Sequence, residues 1–293
     1  MDERRGGWQR AEKLDAEGLA ARLRIEHGVR LEVEGPCAGG EVGAAFVRWE
    51  PVGGRRRRSV LKWQPHSRLQ DLRAGPLAVQ ESARAAGLPV PAVEFAAQVG
   101  HAVVMVQELM PGAPVDRFDA ALLGQALQLN ARQAGLLQHH PTVPPVHLYL
   151  AEDGPGYCLH EPLRRHSARG AALERRIAAT PADPTMAGDD VVHLDFHPGN
   201  LLASNGIITG VVDWDGAARG HRAFDLVTLR FGLNNRADPE VTSRLDDVLD
   251  QVPTDVLNPA WAHMSLRMSD WAIRHHAPAE VQQWFDLAEQ RLS

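Results

Sequence analysis

Residues 191–215, VVHLDFHPGNLLASNGIITGVVDWD, limit the possible folds more than any other stretch of the chain. Asn205-Gly206 is a strong hairpin signal, because both residues tolerate the positive φ that a two-residue turn demands. The apolar runs on either side, Leu201-Leu202 before it and Ile207-Ile208 with Val211-Val212 after it, read as paired strands. The first strand follows a polar loop, His193 to Asn200, and the second ends on Asp213 and Asp215. Pairing the two strands therefore brings Asp213 and Asp215 back beside Asp195 and Asn200. Three carboxylates and an amide converge at one end of a hairpin.

Such a cluster has a definite chemistry. Asp195 can accept a hydroxyl proton, while Asn200 and Asp213 offer hard oxygen ligands suited to a Mg²⁺ that in turn holds phosphates. The spacing of His193, Asp195 and Asn200, H-x-D-x-x-x-x-N, is that of a kinase catalytic loop. With Asp213-Trp214-Asp215 after the hairpin in the place of Asp-Phe-Gly, the chain resembles the aminoglycoside phosphotransferase family, the small-molecule relatives of the protein kinases. That resemblance implies an α+β, bilobal, protein-kinase-like fold: a small first lobe of antiparallel sheet plus helix, and a larger, mostly helical second lobe. The lobes are expected at residues 1–107 and 113–293, with a linker at 108–112.

The bulk properties agree. A chain of 293 residues can bury a sizeable two-lobed core. Its 44% hydrophobic and 23% charged content is ordinary for a globular protein, and no apolar run reaches the roughly 18 residues of a membrane span. The start, MDERRGGWQR, lacks the apolar core of a secretory signal. Only Cys37 and Cys158 are present, far apart, which disfavours a disulfide framework or metal knuckle and makes a reduced, cytoplasmic setting the expectation, with a monomer as the default. The net charge of -6 is uneven: residues 1–110 carry 16 basic and 14 acidic side chains, and residues 111–293 carry 15 and 23. A nucleic-acid partner would need a basic surface. An acidic second lobe instead suits a small cationic acceptor, although acids also simply solubilise helical surfaces.

Taken in order, residues 1–29 read as a leading amphipathic helix, followed by a strand, a Gly-rich turn and a second strand. In the kinase pattern a Gly-rich turn lays its backbone N–H groups over the nucleotide phosphates, which assigns that job to Gly39 and Gly40. The arginine run 55–58 decorates a solvated hairpin tip. Lys62 differs: apart from Lys13 it is the sole lysine in an arginine-rich chain, and it sits in a short apolar strand, where the family pattern places the ammonium that grips the phosphates. A helical stretch, 66–86, is broken or restarted at Pro76, and its Glu81 is the acid placed to steady Lys62. Two strands follow, near 92–97 and 101–107. The linker then presents Glu108, Leu109 and Met110, whose main chain hydrogen-bonds adenine in the family.

Residues 120–139 read as one long helix and 146–189 as an irregular insert. Residues 223–226 begin a helix, and Asp225 has a structural role, either capping that helix or bracing the catalytic loop as the acid at the matching place does in the family the chain resembles. Near the C-terminus, tryptophan and aspartate alternate, and Asp270 and Trp271, with Asp215, are the expected acceptor lining, carboxylate and indole together suiting a polycation.

Two departures stand out: Leu194 occupies a position where many relatives carry glycine, and Trp214-Asp215 replaces Phe-Gly. The H-x-D-x-H of His193, Asp195 and His197 also permits a transition-metal hydrolase reading. The reading that accounts for most residues is a phosphotransferase using ATP or GTP with Mg²⁺ to phosphorylate a hydroxyl of a small cationic acceptor. Aminoglycosides and capreomycin- or viomycin-type peptides lead; homoserine, choline or a sugar, or a nucleotide-binding pseudokinase, are the alternatives.

Overall fold

Strand β5 (Ala102–Glu108) shows why the first part of the chain folds as it does. Six consecutive apolar or amide side chains, 102–107, are all buried, as expected of a strand covered on both faces. In the computed structural model, which describes residues 12–37, 42–51 and 54–292, the chain divides into two units: Met1–Ala78 with Pro91–Met110, and Val79–Val90 with Pro111–Ser293. The expected α+β organisation is observed.

In the first unit, β1 (Leu31–Cys37), β2 (Ala44–Trp49), β3 (Arg57–Pro65), β4 (Val93–Val99) and β5 form an antiparallel sheet in the order β1-β2-β3-β5-β4. Alternation sets its two faces. Leu61 and Trp63 of β3 join Val47, Trp49, Val104 and Val106 in a core closed by Leu19 and Leu23 of α1 (Ala16–His27), the expected leading helix. The Asp15 side chain caps α1 by accepting from Gly18 N–H at 3.0 Å. On the opposite face, Val103 and Met105 pack with Leu72 of α2 (Leu69–Ala74) and Leu77 of α3 (Pro76–Ala85). Pro76 restarts the helix, as expected. The arginine run is more ordered than a solvated tip: Arg57 and Arg58 lie within β3 and pair with Glu94 at 2.8 Å and Glu34 at 2.5 Å.

Residues 79–90, placed in the first lobe by sequence, group with the second unit. Val211 N–H donates to the Pro89 carbonyl at 2.7 Å, and the Arg132 guanidinium reaches the Ala86 carbonyl at 3.1 Å.

The second unit opens with the short strand β6 (Ala113–Pro114) and α4 (Ala120–Ala131). α4 stops eight residues before the expected end at 139, because the following segment is used to hold other elements. Buried Asn130 donates to Gln133 Oε1 at 2.7 Å and to the Arg222 carbonyl at 2.9 Å, and the Gln133 carbonyl accepts Val191 N–H at 3.1 Å. The insert is not irregular throughout: it contains α5 (His160–His166) and α6 (Ala168–Ala178), separated by Ser167, whose hydroxyl caps α6. Then come β7 (Asp190–Val192), the hairpin β8 (Leu201–Ser204) and β9 (Ile207–Val211), and β10 (Ala218–Gly220), paired with β7. Asn205 and Gly206 adopt φ of 51° and 74°, the double left-handed turn read from their identities. Helices α7 (Ala223–Gly232), α8 (Pro239–Leu249), α9 (Thr254–His275) and α10 (Pro278–Glu289) complete the unit, with α9 packed against both α7 and α10. Among the described residues no helix is long and apolar enough to cross a membrane.

Gly112, the last residue of the expected linker, has φ of 103°, and a Cβ there would stand 2.7 Å from both the Ala203 carbonyl oxygen and Thr209 Oγ1. Gly112→Ala is expected to destabilise the protein by about 2 kcal/mol or more, from left-handed strain plus the backbone clash. Urea unfolding checks this; an unchanged midpoint would mean that the β6–β8 pairing yields freely.

Candidate active site

The site begins where β7 ends. Val191 and Val192 are buried, and after them the chain turns sharply: Leu194 takes φ of 67°, a left-handed conformation that costs a branched side chain about 1–2 kcal/mol. This is the position noted as glycine in many relatives. Two charged groups hold it there. Asp225 Oδ1, from α7, accepts Leu194 N–H at 3.0 Å, and Arg267 Nη1, from α9, donates to the Leu194 carbonyl at 2.8 Å. Asp225 Oδ2 accepts His193 N–H and Gln133 Nε2, both at 2.9 Å. Burial pushes the Asp225 carboxyl up to about 7 against the pull of these donors. Asp225 thus braces the loop, one of the two roles read from sequence.

His193 is fully buried, with Trp214 edge-on at 4.5 Å. Its Nδ1 accepts Asp195 N–H at 3.2 Å and its Nε2 lies 3.0 Å from the Val212 carbonyl, so the proton resides on Nε2. Burial lowers its pKa to about 4, keeping the ring neutral. Both nitrogens are committed, so His193 cannot ligate a metal, and the hydrolase reading of H-x-D-x-H loses its first ligand. Among the described residues, no three His, Cys, Asp or Glu side chains cluster as a metal site.

Asp195 is only partly buried, yet both its oxygens are engaged. Arg267 Nη2 donates to Oδ1 at 2.9 Å, and Asn200 Nδ2 donates to Oδ2 and to the Asp195 carbonyl, each at 3.0 Å. His197 Nδ1 accepts Gly199 N–H at 3.0 Å, which leaves its Nε2 facing Oδ2 at 3.5 Å. Desolvation alone would raise the Asp195 carboxyl, but the Arg267 charge and the His197 contact outweigh it and hold the group well below the usual carboxylate range.

Asn200 and Asp213 come together through the hairpin. Leu201 pairs with Val211, and Val212 N–H donates to the Asn200 carbonyl at 2.9 Å, which sets Asp213 next in register. Asp213 has φ of 69°. Because the two nearest groups at the Asn200 Nδ2, the Asp195 carbonyl and Oδ2, are both acceptors, the amide turns its nitrogen to them and its Oδ1 away. An amide oxygen and an adjacent carboxylate match a Mg²⁺ site, since that ion takes one or two protein ligands and completes its shell with water and phosphate oxygens. Asp215 follows, half-buried, one residue beyond buried Trp214.

In the first unit, Lys62 pairs in register with Met105 and so lies on the sheet face that carries Val103 and Met105, not the face that packs on α1. Glu81 belongs to the second unit and is exposed on α3, one helical turn after Leu77. Glu108, Leu109 and Met110 end the unit, half-buried; Glu108 N–H and Oε2 are both engaged with Ala92. Gly39 and Gly40 lie outside the described residues.

One expected acceptor residue is overturned. Asp270 is fully buried, with its oxygens bonded to Arg274 at 2.5 and 3.1 Å and to Leu159 N–H at 3.1 Å, so it ties α9 to the start of α5 and lines no rim. Trp271 is half-buried among aromatic rings. Sequence reasoning missed Gln133 and Arg267. Arg267 had a signal: it is the one full charge between buried Pro259 and buried Ser269 in α9, where a charge needs a partner.

A family model described as the phosphotransferase enzyme family matches residues 39–279. No curated protein sequence matches significantly. Among solved structures, a thermostable mutant of aminoglycoside phosphotransferase APH(4)-Ia, in a ternary complex with AMP-PNP and hygromycin B, is similar at TM-score 0.61 and 15% identity, over 94% of this chain and 98% of that one. Amicoumacin kinase hAmiN, in complex with AMP-PNP, Ca²⁺ and Ami, gives 0.59 and 14%, over 94% and 93%. Macrolide 2′-phosphotransferase MphH from Brachybacterium faecium gives 0.51 and 20%, over 94% and 98%. At these identities the likeness is one of fold.

One turn before Arg267, buried His263 accepts Tyr149 N–H on Nδ1 at 3.1 Å, and burial with the Arg267 charge lowers its pKa to about 3. A depressed histidine pKa means that the unfolded chain binds more protons, so the native state loses stability as pH falls below about 6.5. In His263→Gln, whose amide oxygen can still accept from Tyr149, that loss is absent. The cost of the substitution is expected to shrink by about 3 kcal/mol between pH 7 and pH 4 in urea unfolding. A pH-independent cost would show that the ring is not held neutral.

Proposed function

The chain belongs to the phosphotransferase enzyme family, and from that premise we propose that it moves the γ-phosphoryl group of ATP to a hydroxyl of a small-molecule antibiotic. The observation that carries this reading is the orientation of Asn200: its amide nitrogen is spent on Asp195, which leaves its oxygen for a nucleotide-bound cation that Asp213, next after Val212 in the hairpin, would share. Neighbours in fold that hold AMP-PNP with hygromycin B, or AMP-PNP with Ca²⁺ and Ami, support a nucleotide and an antibiotic as the two substrates.

In this mechanism Asn200 and Asp213 would hold Mg²⁺, and Lys62, with Glu81 as the acid to steady it, would grip the phosphates. The main chain of residues 108–110 receives adenine. The bound Mg²⁺ supplies neutralisation of the charge on the phosphate oxygens. Asp195 orients the acceptor hydroxyl by accepting its hydrogen bond. A carboxylate held as acidic as this one is a weak base, which suits a loose phosphoryl-transfer transition state: the hydroxyl proton need leave only when the new P–O bond is largely made. Arg267 fixes Asp195 in position, so catalysis rests on placement and electrostatics.

The test is ATP consumption over a panel of antibiotics, with mass spectrometry for a gained phosphoryl group. Asp195→Asn is expected to lower transfer by about 10²–10⁴-fold, the range of a lost general base, with AMP-PNP affinity little changed. Asp213→Asn is expected to remove the Mg²⁺ dependence of AMP-PNP binding. Turnover surviving in Asp195→Asn, or an intact Mg²⁺ dependence in Asp213→Asn, would overturn the respective role.

A further inference from the structure

An acidic, tryptophan-bearing second lobe reads from sequence as a lining for a polycation, but the structure pairs several of those acids with arginines. Asp270 is sealed against Arg274, and Asp195 is neutralised by Arg267. Asp246 and Asp250 pair with Arg291, and Asp286 and Glu289 with Arg169. The carboxylate that meets the acceptor is thus paired with a guanidinium, which leaves it less charge to offer an ammonium group beside the reacting hydroxyl.

The surface that leads away from Asp195 is aromatic. Arg267, Trp271 and His275 are spaced four residues apart on α9, so they rise along one side of the helix in steps of about 6 Å. Helical side chains lean toward the N-terminus, here toward Asp195. The Trp271 ring lies 5.6 Å from His275 and 5.5 Å, edge-on, from Trp284 of α10. Tyr157 carries the patch further, its hydroxyl 2.8 Å from His275 Nε2. Trp271, Trp284 and Tyr157 are half-buried and His275 is exposed, so ring surface reaches solvent.

Resting on the phosphotransferase reading, we propose that this side of α9, from Arg267 through Trp271 to His275 with Tyr157 and Trp284 beside it, is the acceptor shelf, and that it selects an acceptor with an extended apolar ring face over a polyamine-decorated sugar. The ring face stacks on Trp271 while Arg267 and Asp195 together meet the hydroxyl.

Two measurements separate this inference from the reading beneath it. Binding of erythromycin, a macrolide with an apolar ring face, and of hygromycin B to the AMP-PNP·Mg²⁺ complex is measured by calorimetry, and phosphoryl transfer from ATP to each is followed by mass spectrometry. Erythromycin is expected to bind at least about ten-fold more tightly, and Trp271→Ala to weaken its binding and raise its KM by about ten-fold, as the loss of one aromatic contact does, with the thermal midpoint of the variant retained. Trp271→Phe, which keeps a ring, is expected to restore most of the affinity. Preferential erythromycin binding without transfer to it, to hygromycin B or to any other antibiotic of the panel would leave the shelf standing and defeat the proposed function. Transfer with hygromycin B equal or preferred, or erythromycin binding indifferent to Trp271→Ala in the folded variant, would overturn the shelf and leave the function. Binding of neither compound would overturn the shelf, whatever the outcome for other antibiotics.

Discussion

The buried carboxylate of Asp225 is the interaction on which the second unit depends. It receives three N–H donors, two from consecutive backbone positions of the catalytic loop and one from Gln133. A carboxylate buried away from solvent with three donors has one acceptable position, and that position decides several other features. The loop must turn at Leu194 in a left-handed conformation. The segment after α4 must leave helical geometry so that Gln133 can reach inward. Helix α7 must present its first turn to the end of β7.

Arg267 acts on the same turn from the opposite side, and its two bonds join structure to chemistry. One holds the Leu194 carbonyl and completes the clamp on the strained residue; the other sets the charge state and direction of Asp195. Strain at functional sites persists where neighbouring groups over-determine the geometry, and here Asp225 and Arg267 do so from α7 and α9. Gly232, at the far end of α7, allows the close approach: a Cβ there would stand 2.7 Å from that of His197. The loop, the helix below it and the arginine above it form one rigid assembly, suited to a reaction in which placement matters more than base strength.

The first unit solves a simpler problem. Alternation along β3 puts Leu61 and Trp63 into the core under α1 and turns Lys62 to the other face, where Met105 is its cross-strand neighbour. A one-residue slip in register would bury the ammonium among Val47, Trp49 and Val106, and the cost of desolvating it makes that register inaccessible. The hydrophobic pattern that builds the sheet thus also points its lysine.

What was legible in the sequence was short-range. Asn205-Gly206 determined its turn because few residues tolerate that backbone; the spacing of His193, Asp195 and Asn200 determined a loop that turns back on itself; Pro76 determined a helix restart because proline lacks an N–H. These are properties of neighbouring residues, and they carried over intact. What only the tertiary structure decided concerns groups distant in the chain. Gln133 reaches Asp225 across 92 residues and Arg267 reaches Asp195 across 72; no local pattern encodes either, and leucine periodicity through residue 139 argued for continuing a helix that long-range hydrogen bonding ends at Ala131. Asp270 and Trp271, adjacent in sequence, separate for the same reason: one faces Arg274 and the interior, the other the aromatic surface. Residue types determined that carboxylates and an amide capable of that chemistry gather here, because the chemistry lies in their own atoms. Which acids remain available to a substrate depends on which arginines fold against them, and only the packed chain decides that.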